Sequence, residues 1–152
     1  MKEIRSVFTN ALNEQFGEIL KRVSPAERRK FSRKVAIALR AHRSDEILAN
    51  RNADGTPMTP RKPQRRSKNK NMKMFQKLGR RSSMRVRANA GYASVRFQPK
   101  NHKIAENHQF GKRVQVNEHA RVKYPERTLL GMDKQEEKIV FDHLYELINE
   151  AF

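Results

Sequence analysis

Helical apolar periodicity at both ends of the chain, two-residue alternation bunched near its middle, and two helix-opening signatures predict an α+β fold. The expected architecture is a set of N-terminal helices, a small antiparallel or mixed sheet of about four strands, and a C-terminal amphipathic helix.

The first expected helix runs from Lys2 to Val23. Ile4, Phe8, Leu12, Phe16, Ile19 and Val23 recur at three- and four-residue spacing and so share a face. Ser24-Pro25-Ala26-Glu27 then opens a second helix. Ser24 can accept from an early amide, Pro25 suits the first turn, and Glu27 can reach back to the cap. Phe31, Val35, Ala38 and Leu39 form its stripe, continued less regularly by Ile47 and Leu48.

Asn50 to Pro57 cannot stay helical. Asp54-Gly55 is a turn signal, and Pro57, Pro60 and Pro63 each impose an extended approach. The basic loop continues to about residue 70, and a short helix from Asn71 to Leu78 is expected to follow, stopped by Gly79. Met84, Val86 and Ala88 alternate with Arg85 and Arg87 as in a half-buried strand. Tyr92 to Phe97 makes a second, joined to it through Asn89-Ala90-Gly91. A short helix from Lys103 to Phe110 ends at Gly111. Two more strands, Arg113–Val116 and Ala120–Tyr124, flank a polar turn, and Pro125 confines the second to an edge or an end. Asp133-Lys134-Gln135-Glu136 is another capping box, opening a last helix striped by Ile139, Val140, Leu144, Leu147, Ile148 and Ala151.

At 152 residues the chain fits a single domain, expected to span 1–152 with a basic loop at 50–70. A hydrophobic share of 36% and a mean hydropathy of −0.94 are low for a self-sufficient core, which suggests either substantial disorder or a subunit completed by neighbours. The absence of cysteine excludes disulfides, thiolate zinc sites and thiol nucleophiles. No apolar run approaches the ~20 residues of a membrane span. Met1–Ala11 has no apolar signal core, so a protein that works where it is made is expected, with no membrane partner.

Charge is the most informative feature. Between Gly55 and Ala105 stand fifteen Lys and Arg residues and no Asp or Glu, whereas the rest of the chain is close to balanced despite a net charge of +18. Such a block repels itself and needs a polyanion or an acidic protein face beside it.

Catalytic chemistry finds little support. His102, Glu106 and His108 are near enough in sequence for a metal or an acid–base pair, with His119 as a fourth candidate, but tetrahedral coordination fixes positions this spacing does not supply. Polar surface or interface groups are the favoured reading, so no catalytic, cofactor-binding or metal-binding residue is assigned. A phosphate-cradling glycine loop, a nucleophile elbow and a paired-carboxylate signature are all absent. A small basic ribonuclease remains only a formal alternative. Nucleic-acid binding without sequence readout is the stronger one, through Arg61, Lys62, Arg65, Arg66, Lys68, Lys70 and Lys73. Against it, Phe75 is the only aromatic within Arg61–Arg81, which is too few for a single-strand stacking platform.

Four ordered stretches resemble the phage virion morphogenesis family, specifically the tail-completion proteins of contractile-tailed phages. They are Ser24-Pro25-Ala26-Glu27-Arg28-Arg29; Arg51 to Pro57 followed by Pro60-Arg61-Lys62; Met74-Phe75-Gln76-Lys77-Leu78; and Ile104-Ala105 through His108-Gln109-Phe110-Gly111 to Pro125-Glu126-Arg127-Thr128-Leu129-Leu130-Gly131. The likeness covers roughly residues 20–150. It implies a tail-terminator or neck-like subunit of the virion, assembled in the host cytoplasm, that finishes the head-proximal end of the tail and enables joining to the head. It also implies a homo-oligomeric ring, commonly hexameric, with tail tube or sheath and neck or connector proteins as partners and DNA passing through the channel.

On that reading three segments are expected to make subunit or partner contacts. The first is the Asp54–Arg66 loop, with Gly55, Pro57, Arg61, Lys62 and Arg65. The second is the corner His108, Gln109, Phe110 and Gly111. The third runs from Tyr124 to Gly131, with Arg127, Leu129 and Leu130, the two leucines seating the last helix on the sheet.

Overall fold

The computed structural model describes residues 17, 21–61 and 74–151. The expected helix Lys2–Val23 lies largely outside these residues, as do Lys62, Arg65 and Arg66, although Gly17, Lys21 and Arg22 are helical.

Helix α1, Pro25–Leu48, begins as its sequence predicts. The Glu27 amide donates to Ser24 Oγ at 3.3 Å, and the Ser24 amide donates back to the Glu27 carboxylate at 2.9 Å. Its buried face runs Ser32, Val35, Ala36, Arg43, Ser44, Ile47, so the middle of the stripe is polar. Its one charged member, Arg43, is explained below by what it meets.

The described part of the expected Asn71–Leu78 helix is a series of turns instead. Phe75 has φ +59, a conformation that cannot propagate a right-handed helix. One α-type bond survives there, from the Gly79 amide to the Phe75 carbonyl at 2.6 Å. Ser44 Oγ donates to the Gly79 carbonyl at 2.6 Å and ties this turn to α1. A 3-10 turn at Arg81–Ser83 leads into the strands.

All four expected strands form, and both pairings are antiparallel. They make two separate hairpins rather than one continuous sheet. Strand β1, Met84–Ala88, pairs with β2, Ala93–Phe97; β3, Arg113–Asn117, pairs with β4, Ala120–Lys123. Between them lies helix α2, Pro99–Gln109, longer than expected because Pro99 occupies its first turn instead of merely ending the strand. The chain closes with α3, Lys134–Ala151.

The core gathers Ile47 of α1, Met58, Leu78, Met84, Phe97, Ala105 of α2 and Leu129. Met74, Phe75, Val95 and Leu130 pack against it half-buried. The first hairpin lays one face on this core. The second is largely exposed on both faces, with Val116 58% and Val122 42% accessible. Helices α1 and α3 also pack together.

Candidate assembly interface

The described parts of the three expected contact segments meet in one place, and the residue that joins them is Arg127. The Asp54–Arg66 loop starts as a closed turn. The Asn52 amide donates to the Thr56 carbonyl at 2.8 Å, the Met58 amide to that of Asn50 at 2.8 Å, and Arg51 bridges Pro57. Gly55 supplies φ +81 at the tip, the left-handed geometry that an Asp-Gly pair accommodates. The Asp54 carboxylate accepts from the Thr56 amide at 2.9 Å and from its hydroxyl, and these bonds hold it below the usual carboxylate range. Asp54, Gly55, Pro57 and Arg61 are exposed, while Met58 is buried.

Beyond the turn the loop runs beneath Arg127. The guanidinium is only 4% exposed. Its Nε donates to the Thr59 carbonyl at 2.8 Å and its Nη2 to that of Pro60 at 3.2 Å. Nη1 faces His108 Nδ1 at 3.0 Å, and the Arg127 amide donates to the His108 carbonyl at 2.8 Å. This planar fork reads three acceptors at once, which a lysine ammonium would not reproduce. Burial, followed by the Arg127 charge, pushes His108 down to about 4. The imidazole is therefore neutral near pH 7, with Nδ1 accepting and the proton on Nε2. Its ring stands edge-on between Phe75 and Tyr124, at centroid distances of 4.8 and 4.7 Å.

Gln109 binds the Tyr124–Gly131 segment, which forms a strap, through its side-chain amide. Its Oε1 accepts from the amides of Leu129 and Leu130 at 2.8 and 2.9 Å, and its Nε2 donates to the Leu130 carbonyl at 2.9 Å. Leu129, fully buried, sits in the core with Ile47, Met84 and Phe97, and Leu130 packs alongside. Gly111 turns the corner at φ +55; a Cβ there would lie 3.2 Å from the Glu126 amide. Phe110 alone of the corner faces outward, 64% exposed.

The turn and the strap are also stitched directly. The Ala53 amide donates to the Thr128 carbonyl at 2.7 Å, and the Thr128 amide donates to Asn52 Oδ1 at 3.1 Å. Gly131 passes so close to Ala53 that a Cβ at 131 would lie 2.6 Å from the alanine methyl. Asn52 carried no functional signal in the sequence, because its partner lies 76 positions away.

A second buried cluster joins α1 to α3. Arg43, 1% exposed, donates from Nε to Glu136 at 3.1 Å and from Nη2 to Glu136 at 2.7 Å and Asp133 at 3.1 Å. His42 Nε2 adds a contact to Asp133 at 3.0 Å. The expected capping box is present too, with the Glu136 amide donating to Asp133 at 2.7 Å. Burial alone would raise the Asp133 carboxyl, but His42, the Glu136 amide and Arg43 together hold it below its ordinary value.

The residues first weighed for metal or acid–base chemistry are engaged separately. Glu106 pairs with Lys112 at 2.7 Å, and His108 Nδ1 is committed to Arg127. Among the described residues no three His, Asp or Glu side chains gather in a way that could hold a metal ion. No helix among the described residues is long and apolar enough to cross a membrane.

Comparison with known proteins supplies an independent view. The sequence pattern of the phage virion morphogenesis family matches residues 7–149. The chain is 33% identical over 135 residues to tail completion protein S of Escherichia phage P2, a match that covers 83% of this chain and 90% of that protein. No solved structure matches it.

Proposed function

This chain belongs to the phage virion morphogenesis family, and on that premise we propose that it is a structural virion protein that completes the phage tail. It acts at the head-proximal end, as a homo-oligomeric ring of an expected six copies, and makes the tail competent to join the head. Its partners are other copies of itself, the tail tube or sheath, and neck or connector proteins, with DNA passing through the channel. Residues 1–152 act as one tail-completion domain, assembled in the host cytoplasm and carried in the virion. The work is structural and not catalytic.

The observation that carries this reading is the match, over nine-tenths of its length, to a protein named for tail completion. The geometry supports a division of labour among the contact residues. Asp54, Gly55, Pro57, Arg61 and Phe110 are exposed and meet partners. His108, Gln109, Arg127, Leu129 and Leu130 face inward and hold that surface in shape, while Gly111 and Tyr124 fix the corner between them. Lys62, Arg65 and Arg66 are further basic residues of the contact segment by sequence.

Deleting the coding sequence from its parent genome tests the reading. Lysates should then contain filled heads and separate tails with few joined particles, and wild-type protein supplied in trans should restore joining. Normal yields of joined, infectious particles without the protein would overturn it. Non-sequence-specific nucleic-acid binding is the second reading, favoured by the cross-strand pairing of Arg85 with Arg96. A uniform, salt-dependent loss of DNA affinity on neutralising Arg61, Lys62, Arg65 and Arg66 would support it.

A further inference from the structure

The outward face of the first hairpin carries Arg85, Arg87 and Arg96, all exposed. In the ladder Arg85 stands directly opposite Arg96. Like charges at directly opposed positions destabilise a strand pair, so an anionic group lying over this face would stabilise it. None of the three guanidinium groups has an ion pair or hydrogen bond among the described residues. Arg96 also forms the rim of a groove of about 310 Å³ between β2 and α2, whose wall includes Phe97, Ala105, Phe110 and Leu130. An anion alone would satisfy the arginines and leave this apolar groove empty.

Elsewhere on the molecule, α3 presents a ridge of the matching chemistry. Glu137, Phe141 and Tyr145 follow at four-residue intervals, all exposed, with Phe141 58% and Tyr145 68% accessible. Each step along that ridge rises about 6 Å, and Arg85 and Arg87 are separated by roughly 6.7 Å along their strand, so the two rows have similar pitch. Of the helix's five carboxylates Glu136 is buried against Arg43, which leaves Glu137, Asp142, Glu146 and Glu150 exposed against two lysines. One of those lysines, Lys138, is neutralised by Asp142 at 2.6 Å; Lys134 lies at the helix start. Glu146 is shared with His143 at 3.2 Å.

We propose that the arginine face of the β1–β2 hairpin receives the Glu137–Phe141–Tyr145 ridge of a second copy of this chain. Glu137 pairs with the arginine row, and one of the two aromatic rings enters the groove beside Arg96, where cation and ring attract. DNA phosphates fit the arginines equally well but offer nothing to the groove, which is why a protein ridge is the better occupant. Donor and acceptor lie on different elements, so the contact repeats head-to-tail when a copy's ridge serves one neighbour and its hairpin another, each joined pair keeping one ridge and one hairpin free for further copies. Such contacts close into rings or run on as filaments. The inference rests on the oligomeric reading above and names the surfaces it uses.

Light scattering on the purified full-length protein, over a range of concentrations and at two salt concentrations, tests it. Wild type is expected to run as a multiple of the 17.9 kDa chain. Arg96→Glu and Phe141→Arg each remove one face, and each should weaken self-association tenfold or more. Mixed together, these two variants keep one intact contact, between the hairpin of Phe141→Arg and the ridge of Arg96→Glu, and should recover association that neither shows alone. Circular dichroism melts check that both variants fold. An oligomer whose mass neither variant changes overturns this inference and leaves the ring standing. So does an unchanged mass with a large drop in melting temperature for Phe141→Arg, which would assign the ridge to packing within the chain. Loss of DNA retention alone in Arg96→Glu, at unchanged mass, also overturns it. A wild type that is monomeric throughout overturns both this and the ring.

Discussion

Arg127 Nη1 lies 3.0 Å from His108 Nδ1, so a buried cation is held by a nitrogen that accepts only while the imidazole is neutral. The remaining donors of that guanidinium serve the Thr59 and Pro60 carbonyls. Removing Arg127 strands all three acceptors together. Arg127→Ala is therefore expected to cost about 2–4 kcal/mol of unfolding free energy. Arg127→Lys should recover only a part of this, because one ammonium cannot span the fork. Urea denaturation midpoints at constant m-value measure both.

The same pair sets a pH dependence. His108 titrates at about 4 in the folded chain against 6.5 for the free side chain. Between those values the unfolded chain binds the proton and the folded one does not, so stability rises with pH across that window. The contribution is complete above pH 6.5 and is lost as pH falls toward 4. A shift of that size corresponds to roughly 3 kcal/mol. Asp133 is also depressed, but from an ordinary value of 3.8, so its loss falls below the histidine window. His108→Gln should flatten the stability profile between pH 4 and 6.5, whatever it does to absolute stability. A variant profile parallel to wild type would show that the imidazole is not the titrating group.

Arg43 gives a prediction for the second buried cluster. Its guanidinium is 1% exposed and pairs with Glu136, itself 3% exposed. Truncating one partner of a buried pair leaves the other charge uncompensated, so Arg43→Met is expected to cost about 3–5 kcal/mol. Adding Glu136→Gln should return part of that loss, because it removes the stranded carboxylate while the side chain can still cap α3. Denaturant unfolding of the two variants measures the difference. If the double variant is less stable than Arg43→Met alone, the loss arises from packing and not from charge.

What the sequence disclosed was chemistry that closes over three or four residues. Ser24 with Glu27, Asp133 with Glu136, and Asp54-Gly55 are complete within one turn of chain, and all three behave as expected. Strand alternation is local in the same sense, which is why four strands could be counted but not assigned to sheets. The choice between one sheet and two depends on α2, which intervenes and lays Ala105 against the core. Arg43 and Arg127 are long basic residues that read as surface, and carboxylates or carbonyls 67 to 93 positions away, with the His108 ring 19 positions from Arg127, account for their burial. Phe75 misled the helical pattern for a related reason. Its ring is held against His108, 33 residues on in the chain, and its backbone takes a positive φ.

The close approach of Gly131 to Ala53 supplies a compensation test. A methyl at position 131 would sit 2.6 Å from the Ala53 methyl, closer than two carbons tolerate, so the loop turn and the strap would have to separate. That separation would strain the Ala53–Thr128 hydrogen bond at 2.7 Å and, through Thr128, the adjacent Arg127 fork. Gly131→Ala is expected to cost about 1–3 kcal/mol, the usual range for forced overpacking. Ala53→Gly removes the clashing methyl, so the double variant should recover most of that loss relative to Ala53→Gly alone. The double-mutant cycle then gives a coupling of at least about 1 kcal/mol, whereas sites this far apart in sequence would be additive if they did not touch. Strict additivity would mean that Gly131 is needed for its own backbone freedom and not for the approach to Ala53.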